Sequence, residues 1–416
     1  MKFNKWTLGL AAVGVVSLGS AVRADEAKMS QLQTALSNTT ISGYVDVAAQ
    51  YNVGNWAPNS QVPVGLGQSQ AGGQAKLDAF SLNTIDIAID HPEDDTPWAA
   101  GYHVDLDWGT DAIATGYGNV RQAYVALRTP VGNGIDWHFG VMDDIIGYEG
   151  NTDGNNPNYT RSYGYFIEPT TLVGLVGTYK VADWLTVQAG IANATSGFTS
   201  SSVTAGIPPV TTTTANPNNL SDKAIVGSVA FTAPDSWGFL KGGTLNAGVV
   251  LNIDDGGQNN YYAGFTIPTP CSMLKVGGAF DFASVNNEIN PNNTGNNNND
   301  SGWVGAFYAN VQPTDKLSFN ARAEYFDLEG GNNGNNVNYA TPGFVPYALG
   351  TGNNRGEEIT LTAQYNLWAN VISRAEFRWD HVDSGRSFGG GAGQGGSVGD
   401  GTADSFLLAL NVIYTF

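Results

Sequence analysis

The stretch that decides the fold lies at residues 404–416, DSFLLALNVIYTF. Large apolar side chains occupy every second position up to the last residue, namely Phe406, Leu408, Leu410, Val412, Tyr414 and Phe416. Successive side chains of a β-strand point to opposite faces, so this spacing predicts a strand with one wholly apolar face. An apolar strand that ends in an aromatic residue is also the feature that the bacterial barrel-insertion machinery reads. We therefore expect a membrane β-barrel that closes with this strand.

The same two-residue period recurs along the chain, clearly at 41–51, 317–325 and 359–365. Counting such segments gives about sixteen, each near the ~10 residues that a tilted membrane strand requires. They are predicted at 40–52, 79–91, 98–108, 119–129, 134–142, 170–180, 184–195, 221–233, 243–254, 259–267, 272–285, 301–312, 316–328, 356–366, 370–382 and 404–416. An even count is what a closed antiparallel barrel with both chain ends on the same side requires.

Connections of two kinds alternate between these segments. Short ones, such as 129–134 and 312–315, alternate with long ones rich in Gly, Asn, Thr and Ser, with one short exception at 255–258. Short periplasmic turns and long extracellular loops are typical of outer-membrane barrels. A soluble β-sandwich would also alternate, but its strands would be nearer five or six residues long. We predict an all-β fold, a transmembrane antiparallel β-barrel of about 16 strands.

The first residues resemble a targeting signal. Lys2 and Lys5 precede an apolar core, and small residues stand at the two positions that a signal peptidase reads before 25. The apolar run is shorter than the ~20 residues of a spanning helix. We expect residues 1–24 to be a signal peptide, 25–39 a short periplasmic segment, and 40–416 an outer-membrane barrel in a bacterium of the Gram-negative type.

Composition and charge exclude several classes of protein. Only 13% of residues are charged, whereas a soluble domain averages about 25%. The formal charge is −19, and removal of Lys2, Lys5 and Arg23 with the signal leaves 15 basic against 37 acidic residues, or −22. Such a protein has no electrostatic attraction for nucleic acid. Cys271 is the only cysteine, so no internal disulfide can form.

Several blocks in the first half of the chain carry a family resemblance. They are Ile41–Asp46, Phe80–Ile87, Gly101–Ala112, Gln122–Val125 with Pro130–Gly134, and Gly147–Glu149 with Asn158–Tyr163. With these blocks the chain resembles the OmpL-like family of outer-membrane β-barrel porins. The resemblance implies a pore but no particular solute. One departure is Gly140-Val141-Met142-Asp143, where relatives are expected to carry a Gly-Lys pair, so a basic pore role there does not carry over.

If the apolar faces meet lipid, the opposite faces line a wet lumen, where charged side chains are tolerated. Segment 143–169 is the third long loop, and the third loop of general porins folds inward and narrows the channel. We expect its acids to face arginines on the wall and to set a transverse field across a constriction. A solvated surface loop is the alternative. The candidate constriction and lumen residues are Asp105, Asp107, Asp143, Asp144, Glu149, Asp153, Arg161, Arg322, Glu324, Arg374, Glu376 and Arg378.

Chemical sites are not indicated by the sequence. The four histidines have no cysteine partners and no HExxH spacing, so no metal, cofactor or catalytic residue is predicted. We predict a porin for passive diffusion of small hydrophilic solutes and ions, with cation preference because acids are in excess. Its partners would be outer-membrane lipid, its solutes and two further copies in a homotrimer. A substrate-specific channel and a structural or adhesive barrel with a plugged lumen are the alternatives.

Overall fold

The computed structural model describes residues 38–53, 79–113, 117–193, 223–253, 258–286, 299–328, 354–383 and 402–416. The expected signal peptide and most of the expected periplasmic segment lie outside these residues. Within the described part of the chain, no helix has the length and apolar character needed to cross a membrane.

Sixteen β-strands make up almost all of the described regular structure. They are β1 Thr40–Asn52, β2 Ala79–His91, β3 Ala100–Trp108, β4 Val120–Thr129, β5 Ile135–Asp143, β6 Thr171–Ala182, β7 Leu185–Asn193, β8 Lys223–Thr232, β9 Thr244–Asn252, β10 Gln258–Pro268, β11 Leu274–Asn286, β12 Asn299–Val311, β13 Leu317–Leu328, β14 Asn354–Trp368, β15 Val371–Val382 and β16 Asp404–Thr415. The predicted all-β barrel of about 16 strands is confirmed. All predicted strand ends lie within two residues of those observed, and differences of two residues occur at both ends of β14 and at the start of β8.

Each strand pairs antiparallel with its neighbours in the sequence, and β1 pairs with β16 to close the barrel. The closing ladder runs from Tyr44 opposite Thr415 to Asn52 opposite Leu407. Closure removes the two free sheet edges, so every strand finds backbone hydrogen-bond partners on both sides, as a hydrocarbon environment requires. Strand β16, with its alternating apolar residues, is therefore the strand that closes the barrel.

The barrel has two unlike ends. One end, here called the turn end, carries the short connections 130–134, 183–184 and 369–370 and the start of β1. The opposite end, here called the loop end, carries the long connections, of which 144–170 is described throughout. Three further elements interrupt the β-structure of the described residues: a 3-10 turn at Asp235–Leu240 on the turn end, and, inside loop 144–170, a 3-10 turn at Asp153–Asn155 and the short helix α1, Tyr163–Ile167.

The two faces of the wall differ as the alternation requires. On β16, Leu408 and Leu410 are 47% and 63% exposed on the outside, whereas Leu407 and Asn411 are buried on the inside. Outward apolar side chains of this kind encircle the barrel, while Asp, Glu, Arg, Asn and Thr side chains predominate inside. The wall thus presents an apolar surface to lipid and a largely polar surface to the lumen, into which loop 144–170 folds.

Candidate pore constriction

Loop 144–170 leaves β5 at Asp143, folds into the lumen, and returns to β6 at Thr171. Its own side chains stiffen it. The Asn156 amide accepts from the Gly150 N–H at 2.8 Å and donates to the carbonyls of Gly150 and Thr152 at 2.9 and 2.8 Å. Ser162 caps α1 by accepting from the Tyr165 N–H at 3.0 Å. The loop is therefore a folded element rather than a flexible connection.

Arg322 on β13 is the centre of the contact between loop and wall. Its side chain is fully buried and donates to the Glu149 carboxylate at 2.8 Å and to the Thr160 carbonyl at 2.7 Å, both in the loop. The same guanidinium donates to Glu358 on the neighbouring β14 at 3.1 and 3.2 Å, and Glu324 lies 3.4 Å away. Paired charges with this many hydrogen bonds are tolerated in a buried position.

Two further carboxylates of the wall accept hydrogen bonds from the loop backbone. Glu376 on β15 accepts from the N–H groups of Tyr159 at 2.6 Å and Thr160 at 2.9 Å. Glu324 on β13 accepts from the Tyr163 N–H with both oxygens at 3.0 Å. These bonds satisfy N–H groups that a loop inside the barrel would otherwise leave unpaired.

Two arginines of β15 perform the complementary task for loop carbonyls. Arg374 donates to the carbonyls of Asp153 at 3.1 Å and Asn156 at 2.8 Å. Arg378 donates to the Arg161 carbonyl at 2.9 Å while it pairs with Asp380 on its own strand at 2.7 Å. Carboxylates of the wall accept hydrogen bonds from loop N–H groups, and arginines of the wall donate to loop carbonyls. Strands β13, β14 and β15 therefore form a polar surface that is complementary to the loop backbone.

Apolar contacts fix the two ends of the loop. Near its start, Ile146 packs in a buried cluster with Leu172, Val226 and Val250, which face the lumen from β6, β8 and β9. Near its end, Tyr163 of α1 stacks on Phe326 of β13 with ring centroids 4.1 Å apart, and Phe326 is fully buried. Burial of such side chains contributes free energy in proportion to the area removed from water. The loop is thus held by packing as well as by charge.

A second charged cluster lies on β2 to β5, beside the point where the loop leaves the wall. Arg121 forms ion pairs with Asp105 and, at 3.0 Å, with Asp143, and Asp86 lies 3.6 Å away. Asp107 accepts from the Ile113 N–H at 2.9 Å. Carboxylates outnumber the single guanidinium here, so the cluster leaves an excess of negative formal charge at the level of the loop.

The loop also buries carboxyl groups of its own. Glu168 is 4% exposed, next to the Asp281 carboxyl of β11. Burial raises the pKa of Glu168 well above its usual range, and the charge of Asp281 raises it further. Burial likewise raises the pKa of Asp144 at the start of the loop. Both groups therefore hold their protons more tightly when the loop is docked than when it is free in water.

The structure brings some of the predicted residues together and separates others. Glu149 meets Arg322, and the loop backbone meets Glu324, Arg374, Glu376 and Arg378. In contrast, Asp153 pairs with Arg161 inside the loop at 2.7 Å, and Asp105, Asp107 and Asp143 gather at Arg121. The loop covers the wall arginines, with Arg322 and Arg378 at 0% exposure: Arg322 contacts the loop acid Glu149 directly, whereas Arg374 and Arg378 contact loop carbonyls.

Sequence reasoning did not select Arg121, and the structure gives the reason. Arg121 is adjacent to the lumen-facing Gln122, so strict alternation would turn it towards lipid. The β3–β4 register pairs Asp105 with Gln122 and Leu106 with Val120, which leaves Arg121 as the extra residue of a β-bulge. A bulge reverses the local alternation and turns this side chain inward. The only sequence signal was an arginine on a face where a charge is costly.

Below the loop, towards the turn end, lies a cavity of about 710 Å³. Loop residues 154–157 cover it from the loop side, and residues of β9 to β14 form its wall. Its walls are rich in amide and hydroxyl groups, and the charged residues among its described lining are Lys241, Lys275 and Lys316. The lumen described here therefore has a closely packed level at the loop and a wider vestibule beneath it.

Comparison with known proteins agrees with this architecture. Residues 38–416 match the family described as "Putative beta-barrel porin-2, OmpL-like". The chain belongs to this family. The OmpL-like porin family and the porin-type barrel together place the protein in the outer membrane. The chain has no match among the curated proteins.

Solved structures of outer-membrane proteins share the fold of this OmpL-like porin at low sequence identity. The outer membrane channel DcaP of Acinetobacter baumannii is 12% identical with a TM-score of 0.54, over 91% of this chain and 97% of that one. The anion-selective porin from Comamonas acidovorans is 10% identical with a TM-score of 0.53, over 91% and 99%. The trimer form of in-vitro folded OmpT of Vibrio cholerae is 12% identical with a TM-score of 0.50, over 91% and 99%.

Proposed function

We propose that this OmpL-like barrel is a passive-diffusion porin for small hydrophilic solutes and ions, in which loop 144–170 is the constriction. The observation that carries the proposal is the docking of this loop inside the lumen by the buried Glu149–Arg322 pair and its neighbours. A surface loop would gain nothing from wall carboxylates that accept its backbone N–H groups. The proposed activity requires only a channel of limited width with charged side chains at defined positions, and it requires no catalytic group.

The proposal includes a preference for cations. At the level of the loop, the carboxylates of the Arg121 cluster and of strands β13–β15 outnumber the arginines of the same two groups. Acid excess at the narrowest level attracts cations. The fold does not decide this property, since the similar barrel from Comamonas acidovorans is anion-selective. We also propose a homotrimer, in keeping with the trimer form recorded for OmpT of Vibrio cholerae.

The decisive experiment is single-channel conductance of the mature protein in a planar bilayer with and without residues 146–160. Removal of the constriction should raise the unitary conductance and weaken discrimination by solute size. A deletion of equal length at 198–212, in another long connection, is the matched control and should change conductance much less. Unchanged conductance in the 146–160 deletion would contradict the constriction.

Two other outcomes decide between the alternatives. Saturable conductance that one solute blocks would favour a substrate-specific channel, and absence of steps from a folded, heat-modifiable barrel would favour a plugged structural or adhesive barrel. In a salt gradient, the reversal potential should report cation preference. Equal permeability of both ions would contradict that part of the proposal while leaving the pore intact.

A further inference from the structure

The vestibule below the loop carries a charge opposite to that of the whole protein. The full chain has 37 acidic against 18 basic residues, yet the described residues that line the cavity include three lysines and no carboxylate. Lys275 is the second residue of β11, Lys316 precedes β13, and Lys241 follows the 3-10 turn before β9. They lie at or beside the starts of three different strands at the turn end, so the topology, and not a run of sequence, gathers them around one space.

Two of these lysines have no acidic partner in the part of the wall that the structure describes. Lys241 reaches Asp235 at 3.1 Å, and both side chains are mostly exposed. Among the described residues, no carboxylate lies within ion-pair distance of the ammonium groups of Lys275 and Lys316. Most other charged side chains inside this barrel are paired, as at Arg322 and Arg121. The ammonium groups of Lys275 and Lys316 can thus pair with an anion that enters the vestibule from solution.

The rest of the lining is suited to a hydroxylated solute. Asn246, Asn310, Asn320, Gln364 and Asn366 offer amide donors and acceptors around the cavity. The Oδ1 atom of Asn246 is buried and accepts no hydrogen bond from the described residues. An unsatisfied buried acceptor costs free energy unless a ligand or water supplies a donor. A volume of about 710 Å³ lies within the usual range of small-molecule sites.

We infer that this vestibule binds a small anionic, hydroxyl-rich solute, of the sugar-acid class. The ammonium groups of Lys275 and Lys316 attract its carboxylate, and the amide side chains bind its hydroxyl groups. The inference rests on the proposed function, because a solute reaches the vestibule through the lumen. The inference is compatible with a preference of the channel for small cations. That preference arises at the narrow level of the loop, whereas the lysines of the vestibule act at short range on a solute that contacts them.

The test compares galacturonate with galactose, which differ in the carboxylate. Binding is measured by isothermal titration calorimetry on the folded, heat-modifiable barrel in detergent, at low salt. The full chain is expected to bind galacturonate at least tenfold more tightly than galactose, since each ammonium in contact contributes about fivefold in water. The double variant Lys275→Gln/Lys316→Gln should lose this preference.

The matched control is Lys180→Gln, which removes one positive charge at the same end of the barrel. Lys180 lies on β6, outside the cavity lining, and pairs with Asp183 at 2.9 Å. It should leave galacturonate binding unchanged. Equal binding of the two sugars by the full chain, or equal loss in Lys180→Gln and the double variant, would overturn the inference.

Calorimetry separates this inference from the proposed function. A barrel that binds galacturonate through the two lysines but conducts no ions supports the vestibule and contradicts the porin. A barrel that conducts ions but binds both sugars alike contradicts the vestibule and leaves the porin standing. In a conducting barrel, galacturonate added on the turn side should also reduce the current at lower concentration than galactose.

Discussion

Replacement of Arg322 by methionine tests the docked loop most directly. The substitution keeps much of the side-chain volume but removes the guanidinium that joins Glu149 and Thr160 of the loop to Glu358 of the wall. Glu149, Glu324 and Glu358 then remain together in a buried position without their shared cation. Removal of one partner from a buried ion pair costs roughly 3–5 kcal/mol. The equilibrium constant for docking of the loop should therefore fall by a factor of roughly 10² to 10⁴.

Loop 144–170 contains its own reporter for this change. Arg161 is its only Lys or Arg, and the side chain is 11% exposed in the docked loop. Trypsin cleavage between Arg161 and Ser162, followed by mass spectrometry on the folded barrel, measures how often the loop leaves the wall. Arg322→Met should speed this cleavage by about two orders of magnitude when local opening is fast relative to cleavage. Unitary conductance should rise in parallel.

A matched arginine provides the control. Arg355 on β14 pairs with Asp327 at 2.9 Å, but its side chain is 51% exposed. An exposed ion pair contributes at most about 1 kcal/mol, so Arg355→Met should leave both readouts nearly unchanged. If Arg322→Met forms a heat-modifiable barrel whose Arg161 stays as protected as in the parent chain, the buried ion pair does not hold the loop and the reasoning is wrong.

Two further predictions concern the same loop. Phe326→Ala, which removes the fully buried ring under Tyr163, should cost roughly 3–5 kcal/mol of docking and speed cleavage at Arg161, whereas Phe319→Ala on the lipid face of the same strand should not. The pKa of Glu168 is raised in the docked loop, so docking is strongest at low pH and weakens as pH rises above the ordinary carboxyl pKa of about 4.5 towards the docked one. The rate of cleavage at Arg161, normalised to that of a small peptide substrate, should therefore rise between pH 5 and pH 8. The substitution Glu168→Gln should flatten this pH profile. A rise of equal size in Glu168→Gln would refute the assignment to Glu168.

The fold was predictable because it depends on a local and repeated property. A tilted strand between lipid and water must alternate over about ten residues, and this pattern can be read in each segment separately. The count of sixteen and most strand ends followed from it. At β3 the prediction began at 98, but the strand begins at Ala100, because Trp98 adopts a positive φ of 65° in the preceding turn.

The candidate site was predictable only in part because its contacts are not local. The position of loop 144–170 in the chain indicated an inward fold, but not that Glu376 and Glu324 would bind its backbone N–H groups. Lumen-facing Val250 and Phe326 also break the rule of polar residues inside, because the loop covers them. No sequence pattern within β9 or β13 indicates that a loop covers these two residues. Such contacts appear only once the path of the loop is known.

The long sequence separation of these contacts has a consequence for assembly. Tyr159 lies 217 residues before Glu376, and Tyr163 lies 161 before Glu324, so the loop is synthesised well ahead of the wall that receives it. Pairing across such distances must wait for chain closure, whose entropic cost grows with the length of the intervening segment. The wall itself is zipped from nearest-neighbour hairpins and a single closing seam between β1 and β16. Docking of the loop is therefore expected as a late step, and the newly inserted barrel would pass through a wide-open form before its channel narrows.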